Sequence, residues 1–321
     1  MKKKKILSII GVTLGLILVV GILGFSYFTG ISVFNGSMQL VNNESTSKDK
    51  AGKYFQKISF DLIEFQSKYT IETVHIKSTI DEHIIPADYI TADGNKNKDT
   101  IIMVHGLGGN RWTNYPFASI FLRNGYNVIS YDQRSSGENT AKYTACGYLE
   151  TYDLGDYVSY LKEKIDHNKK IGIWGVSYGG ATVGIYLGSC QANQNVDFAI
   201  MDSPVSDMGY MISTEMEEMD IGIPLNFLMA MGNIITKLKL GFSYEDIKVC
   251  NHIRNTTVPL LVINSKLDEL TPYFMGEDIY RSVNHEHKKL FSVEDSKHAE
   301  IHLDYPEAYE SNIFEFIHQL P

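Results

Sequence analysis

The chain has 321 residues, of which 44% are hydrophobic and 21% charged, a globular composition with room for one large α/β domain and additional segments. Its formal net charge is −9, and four lysines stand within the first five residues, so the remainder is more acidic still. An acidic surface repels a phosphate backbone, which argues against nucleic acid as a partner.

The N-terminus predicts a membrane anchor. Lys2 to Lys5 precede a strongly apolar run, Ile6 to Phe28, whose 23 residues are enough to cross a bilayer core of about 30 Å. Lysines beside a span remain in the cytoplasm, so residues 1–5 are expected to form a cytoplasmic tail and the remainder of the chain after the span to lie outside the membrane. The alternative is a cleaved signal peptide that would release a secreted protein.

Residues 29–69 are predicted to form a stalk and a leading helix. The stretch from 29 to about 52 is polar and rich in Ser, Asn and Lys, as flexible linkers are. From Tyr54 to Phe65 apolar residues recur at nearly helical spacing, which indicates a helix that packs on the domain or lies near the membrane.

Residues 70–321 alternate between strand and helix patterns. Two partly alternating segments, 72–77 and 82–90, predict antiparallel strands at a sheet edge. Six solid apolar runs are typical of buried parallel strands: 100–104, 127–131, 171–174, 198–201, 259–263 and 289–293. Helical segments separate them, at about 114–124, 150–165, 178–190, 274–283 and 306–319. The fold class is therefore α/β, with a mostly parallel eight-stranded sheet and helices on both faces.

One interval breaks this rhythm and predicts a small helical cap over about residues 205–257. It is too long for a simple crossover between strands. It contains Met208, Met211, Met216, Met219, Met229 and Met231. Methionines adapt to irregular apolar ligands and could line a pocket, although packing within the cap is the favoured explanation.

Gly175-Val176-Ser177-Tyr178-Gly179 follows an apolar run and has the pattern of a nucleophile elbow. The chain turns there from strand into helix, with the serine in a strained conformation at the tip. Side chains at the two glycine positions would collide. The pattern predicts Ser177 as a nucleophile beside the first N–H groups of a helix.

A serine nucleophile also needs donors for the oxyanion. His105-Gly106-Leu107-Gly108-Gly109 follows the predicted strand at 100–104. We expect the backbone N–H groups of Leu107 and Tyr178 to form the oxyanion hole. A glycine-rich turn could instead bind phosphate, but neither GxGxxG nor a Walker lysine is present.

The acid and the base are predicted from loops that follow later strands. Asp268 follows the strand at 259–263, at the sheet edge where catalytic groups collect; Asp202, after the preceding strand, is the alternative. His298 follows the strand at 289–293 and is the expected base. Of its competitors, His302 lies four residues further on, and His105 is expected to have a structural role.

These motifs resemble the serine hydrolases of the α/β-hydrolase superfamily, in the monoacylglycerol-lipase-like and serine-aminopeptidase-like branch, and the N-terminus resembles its membrane-anchored bacterial type. The order Ser177, Asp268, His298 is that of the family. The resemblance covers residues 70–319 and extends to residues 131–138, YDQRSSGE, which are similar to the family's Tyr-Asp-x-Arg-Gly-x-Gly-x-Ser segment. Ser135 and Asn139 depart from that segment, which leaves the geometry of this loop open.

The resemblance implies hydrolysis of carboxylic esters through an acyl-enzyme, with a small ester or acyl compound as substrate. No cofactor or metal is implied, and the three cysteines fit neither a disulfide framework nor a zinc motif. One alternative is a serine peptidase acting on short peptides, whose free amine would be bound by acidic cap residues: Glu215, Glu217, Glu218 and Asp220. The other is a non-catalytic, membrane-associated binding protein. The sequence does not indicate an oligomeric state.

Overall fold

A computed structural model of the protein describes residues 2–39 and 42–320. Residues 1, 40, 41 and 321, which belong to the predicted tail, stalk and α/β domain, lie outside the described residues. The described chain divides into two compact units. Residues 2–39 and 210–244 form the smaller unit, and residues 42–209 and 245–320 form the larger one.

The larger unit is built on one sheet of eight strands. They are β1 (Thr70–Lys77), β2 (Ile84–Thr91), β3 (Thr100–Val104), β4 (Asn127–Tyr131), β5 (Ile171–Val176), β6 (Phe198–Asp202), β7 (Leu260–Ser265) and β8 (Lys288–Val293). Their spatial order is β1-β2-β4-β3-β5-β6-β7-β8. Only β2 runs against its neighbours, β1 and β4; the other pairs are parallel. The predicted sheet is thereby confirmed.

Helices follow the strands at the predicted places, with ends within a few residues of those expected. Those of the larger unit are α2 (Lys48–Lys57), α3 (Leu62–Lys68), α4 (Tyr115–Arg123), α5 (Glu150–Lys164), α6 (Tyr178–Leu187), α7 (Cys190–Asn195), α10 (Val249–Ile253), α11 (Phe274–Ser282), α12 (Ile301–Asp304) and α13 (Pro306–His318). Those of the smaller unit are α1 (Lys2–Met38), α8 (Met208–Glu218) and α9 (Leu225–Leu240). The first two residues of α8 precede residue 210, where the second segment of the smaller unit begins.

The central strands explain the solid apolar runs. β3, β5, β6 and β7 are buried along their whole lengths, because helices cover both faces of the sheet. Trp174 and Phe198 are fully buried in a core that Phe117 of α4 and Ile313 of α13 complete. Parallel strands end at a common edge, so the loops after β3, β5, β7 and β8 meet there.

The leading segment differs from its prediction as one helix over 54–65. It forms α2 and α3 instead, separated by a turn in which Ser59 adopts a left-handed conformation with φ of 56°. Asp61 then caps α3, its carboxylate accepting a hydrogen bond from the Glu64 N–H at 2.8 Å. Apolar spacing continues through this turn, which is why periodicity alone joins the two helices.

The predicted stalk also differs, because α1 continues to Met38 rather than ending near Phe28. Its polar residues are accommodated within the helix, where the Ser32 hydroxyl donates to the Phe28 carbonyl at 3.0 Å. Among the helices that the structure describes, α1 alone is long and apolar enough to cross a membrane.

The C-terminal part of α1 packs on α9 within the smaller unit. The rings of Phe25 and Phe227 stack with centroids 6.0 Å apart. At Gly30 the two helices are so close that an added Cβ would lie 2.6 Å from Ile235 Cγ1 and 2.7 Å from the Met231 carbonyl oxygen. The apolar segment is therefore an integral element of this unit.

The cap is narrower than the predicted 205–257. The smaller unit takes residues 210–244, while the flanking segments belong to the larger unit. There the Val205 N–H donates to the Ser177 carbonyl at 3.3 Å, and Val249 of α10 packs against Gly184 of α6. Met208 and Met216 are buried whereas Met219 is 56% exposed, so the methionines do not share one surface.

The contact at Gly30 predicts a difference between two glycines of α1. Gly30→Ala should destabilise the smaller unit by about 1–3 kcal/mol, because the new methyl group has no room. Gly24→Ala, where nothing lies within 4 Å, should be neutral or slightly stabilising. Proteolysis rates of the 210–244 segment in the detergent-solubilised full chain measure the effect. Equal resistance of the two variants would contradict the packing.

Candidate active site

Ser177 lies at a tight turn between β5 and α6. Its backbone adopts φ 55° and ψ −118°, a conformation that side-chain-bearing residues rarely take. The turn is possible because Gly179 packs on the end of β3. A Cβ at Gly179 would lie only 2.2 Å from the Val104 carbonyl oxygen, so no larger residue fits. The sequence prediction of a strained turn that requires glycine agrees with this geometry.

Backbone hydrogen bonds hold the Ser177 peptide in place from both sides. Its N–H donates to the Asp202 carbonyl at 2.9 Å, across from the end of β6. Its carbonyl accepts from the Ala181 N–H at 3.2 Å and the Val205 N–H at 3.3 Å. These bonds offset the cost of the left-handed backbone and fix the direction of the Ser177 side chain.

Asp268 and His298 form a hydrogen-bonded pair at the ends of β7 and β8. His298 Nδ1 lies 2.8 Å from Asp268 Oδ2. The Thr271 N–H donates to Asp268 Oδ1 and the Thr271 hydroxyl donates to Asp268 Oδ2, both at 2.8 Å. Burial alone would raise the pKa of the Asp268 carboxyl, but the bond to His298 and its charge, with the Thr271 bonds, bring that pKa below its ordinary value. The group is therefore an anion that orients the imidazole.

Asp202, the alternative acid, has different partners. Its carboxylate accepts hydrogen bonds from the Tyr309 hydroxyl at 2.8 Å and the Ser203 hydroxyl at 3.1 Å. Burial raises the pKa of Asp202 to about 6. Asp202 therefore ties α13 to the end of β6, while its own backbone carbonyl holds Ser177.

The loop after β3 is fixed by His105. The Gln133 N–H donates to His105 Nε2 at 2.9 Å, so the ring proton belongs on Nδ1, which donates to the Gly106 carbonyl at 2.8 Å. Burial lowers the pKa of His105 to about 4, which keeps the ring neutral. The loop then turns tightly, with the Gly109 N–H donating to the Gly106 carbonyl at 3.1 Å. The prediction of a structural role for His105 agrees with these bonds.

Ser177, His298 and the 106–109 loop line one cavity of about 300 Å³. Leu107 borders it and is 46% exposed, while Tyr178 begins α6, where the first N–H groups of a helix have no partner within the helix. Ser177, His298, Asp268, Leu107 and Tyr178 are thus near neighbours. The Tyr178 side chain points elsewhere, its hydroxyl donating to buried Glu150 at 2.7 Å.

One wall of the cavity was not predicted. It comes from α2, which contributes Lys50, Ala51 and Tyr54. Burial, with smaller contributions from Asp202 and Glu300, raises the pKa of Tyr54 to about 12, so its hydroxyl stays protonated. The apolar spacing around Tyr54 indicates a helix, but spacing carries no information about where that helix docks.

The loop that follows β4 accommodates its departures from the family segment. Ser135 takes a left-handed conformation, φ 57°, at the position where the segment has glycine. Asn139, at the closing-serine position, donates from Nδ2 to the Asp132 carbonyl at 2.9 Å. The Asp132 carboxylate accepts from the Arg111 N–H at 2.7 Å and pairs with its guanidinium. These contacts hold the loop in shape without the two family residues.

The acidic residues that a peptidase would use belong to the smaller unit. The four acidic cap residues that a peptidase would use are exposed side chains of the smaller unit: Glu215, Glu217, Glu218 and Asp220. Among residues 2–39 and 42–320, no group of three or more His, Cys, Asp or Glu side chains is arranged to hold a metal ion.

His302, the neighbouring candidate for the base, is part of the core. Its ring packs on Phe117 with centroids 4.0 Å apart and lies 6.1 Å from the Tyr309 ring. Burial lowers the pKa of His302 to about 4. Its position against these aromatic rings fits a packing role.

This burial predicts an acid-sensitive contribution to stability. Between about pH 6.5 and 4 the unfolded chain protonates His302 and the folded chain does not, so stability falls as the pH is lowered. By pH 5 the loss is about 2 kcal/mol. The free energy of unfolding of His302→Leu, taken relative to that of the wild type, should therefore be higher at pH 5 than at pH 8 by about 2 kcal/mol. Urea unfolding at both pH values measures it, and identical pH dependence in the two proteins would contradict it.

Comparisons with known proteins agree with this architecture. A family model described as alpha/beta hydrolase fold matches residues 99–234. The chain is similar to the uncharacterized protein YqkD of Bacillus subtilis (strain 168), with 27% identity over 98% of this chain and 97% of that protein.

Solved structures are similar to it as well. One is an esterase from Pyrococcus furiosus, with a TM-score of 0.62 and 22% identity, covering 83% of this chain and 95% of the esterase. Another is an esterase from Exiguobacterium antarcticum, with a TM-score of 0.56 and 18% identity, covering 77% of this chain and 99% of that one. With the sheet order, these matches show that the chain has the α/β-hydrolase fold.

Proposed function

We propose that the protein is a membrane-anchored serine hydrolase that cleaves carboxylic esters outside the membrane. The observation that carries the proposal is the Asp268–His298 hydrogen bond of 2.8 Å beside a cavity that His298 shares with the strained Ser177. An oriented base next to a partly exposed serine at a helix N-terminus is the arrangement that nucleophilic acyl transfer requires.

In the proposed first step the Ser177 hydroxyl attacks the ester carbonyl while His298 Nε2 accepts its proton. Asp268 holds the imidazole through Nδ1 and stabilises the positive charge that forms on the ring. The N–H groups of Leu107 and Tyr178 stabilise the developing oxyanion, and α6 adds the positive end of its dipole. His298 returns the proton to the departing alcohol, leaving an acyl group on Ser177.

In the second step water attacks the acyl-enzyme, with His298 again as the base. The proton then returns to Ser177 and the carboxylic acid leaves. Carboxylic esters are the favoured substrates because two similar folds belong to esterases and because Phe117, Ala51 and Leu107 give the cavity apolar walls. No step needs a metal or a cofactor.

Anchoring by α1 is supported by two features of the smaller unit. The large apolar residues between Ile6 and Phe28 are exposed, most of them by more than half, which favours a hydrocarbon environment. The contacts of Phe25 and Gly30 with α9 favour an anchor that remains part of the folded protein over a leader that is removed. The N-terminal lysines then favour a topology in which the larger unit and residues 210–244 are on the outer side of the membrane.

Removal of the nucleophile tests the proposal. Ser177→Ala should lower kcat for p-nitrophenyl esters by about 10³-fold or more, because only the oxyanion donors and substrate binding remain. Ser119→Ala on α4 is the matched control, since that hydroxyl only bonds back to the Tyr115 carbonyl of its own helix. A panel of acyl esters and aminoacyl amides completes the test. Full activity of Ser177→Ala, or faster turnover of amides than of esters, would contradict the proposal.

Substitution of Asp268 and of Asp202 should have different effects on kcat. Asp268→Asn should reduce kcat by about 10³–10⁴-fold with little change in KM, because the imidazole loses its orienting anion. Asp202→Asn is matched in chemistry but bonds Tyr309 and Ser203, so we expect a smaller kcat effect and a larger effect on stability. Ester kinetics and thermal unfolding of both variants decide this. A greater kcat loss in Asp202→Asn would assign the acid to Asp202.

A further inference from the structure

An apolar groove lies within the smaller unit, between α1 and the loop that joins α8 to α9. Its volume is about 790 Å³. Leu18, Gly21 and Ile22 form one wall, and Ile223, Pro224 and Phe227 form the other. None of its lining residues carries a charge. Such a surface is unfavourable in water and calls for an apolar occupant.

The depth of the groove follows from helix geometry. A hydrocarbon core of about 30 Å takes about 20 residues at 1.5 Å per residue. Counted from Ile6, the first residue after the lysines, the outer boundary of that core falls near Phe25. Leu18 then lies about 10 Å inside the boundary. The wall formed by Ile223 and Phe227 stands beside this part of α1 and shares its depth.

We propose that the tip of the cap, residues 219–227, dips into the outer leaflet beside α1, and that the groove binds an acyl chain of a membrane lipid. The inference rests on the proposed anchoring by α1. Two exposed side chains of the tip are apolar, Met219 at 56% and Ile221 at 53%, and its exposed polar side chains, Asp220 and Asn226, are expected to reach the headgroup region. Exposure of Met219 and Ile221 to water is unfavourable, whereas their burial in hydrocarbon is stabilising.

Lipid is the occupant that the surroundings favour. The residues of α1 beside the groove, such as Leu14 and Val20, are more than 60% exposed, and a spanning helix directs such side chains to acyl chains. The groove is continuous with that surface, since α1 forms one of its walls. An acyl chain is linear and adaptable, and it matches a cleft whose lining is apolar except for Ser26 and carries no charged side chain.

Depth-dependent fluorescence quenching tests the position of the tip. The full chain is reconstituted in phosphatidylcholine vesicles whose acyl chains are brominated at defined depths. Three exposed apolar residues are replaced one at a time: Ile221→Trp at the tip, Leu14→Trp within α1 and Leu238→Trp on α9. Leu238 neighbours Lys239, whose ammonium lies over the Phe34 ring, about 14 Å beyond Phe25 along α1. The wild-type signal of Trp112 and Trp174 is subtracted.

We expect bromolipids to quench Ile221→Trp and Leu14→Trp several-fold more than Leu238→Trp. If only Leu14→Trp is quenched, α1 spans the bilayer but the tip lies outside it, and the inference is wrong while the anchor stands. If Leu14→Trp is not quenched either, both the anchor and the inference are wrong. Ester hydrolysis by each variant reports separately on Ser177 chemistry.

Filling the groove tests its occupant. Gly21 and Gly15 both have open space at the Cβ position, but only Gly21 lines the groove. With a phospholipid carrying a diazirine on its acyl chain, Gly21→Phe should reduce photolabelling of the 219–227 peptide several-fold, whereas Gly15→Phe should leave it at the wild-type level. Equal labelling in all three proteins would overturn acyl-chain binding in the groove.

Discussion

The close approach of α6 to the end of β3 is the constraint on which the rest of the site depends. At Gly179 the helix backbone comes so near the Val104 carbonyl that even one methyl group is excluded. The turn before it must then be tight, and Ser177 takes a left-handed backbone that costs on the order of 1–3 kcal/mol. Three backbone hydrogen bonds offset this cost: the Ser177 N–H donates to the Asp202 carbonyl, and the Ser177 carbonyl accepts from the Ala181 and Val205 N–H groups.

The same sheet edge explains how the supporting residues reach Ser177. Parallel strands end together, so loops separated by more than 100 residues in sequence become neighbours. Asp268 then orients His298, and the buried Thr271 hydroxyl fixes Asp268. His105 performs a comparable task for the neighbouring loop, as a neutral ring bonded at both nitrogens. The candidate site is therefore rigid because buried polar groups hold one another in defined positions.

Much of this could be predicted because strand order and site position are linked. The apolar runs locate the strands, and the polar residue after each run locates the edge, which leads to Ser177, Asp268 and His298. The sequence alone does not decide whether Asp268 or Asp202 is the acid that orients the base, since both follow strands. It depends on Tyr309, which bonds Asp202 from a helix 107 residues away.

Other features depend on contacts that no local pattern records. The docking of α2 on the cavity comes from tertiary packing, although its helical spacing is visible around Tyr54. The continuation of α1 past Phe28 reflects its packing on α9, which outweighs the polar composition that suggested a stalk. Ser135 takes a conformation expected of glycine, in a loop where the Asp132 carboxylate accepts a hydrogen bond from the Arg111 N–H.

The most direct test of the central claim is the site of reaction with a fluorophosphonate. The folded full chain is treated with the reagent, and the modified residue is identified by mass spectrometry of its peptides. The account predicts a single adduct on Ser177 that forms much more slowly in Asp268→Asn. An adduct on another residue, or no adduct in folded protein, would contradict the assignment of Ser177 as the nucleophile.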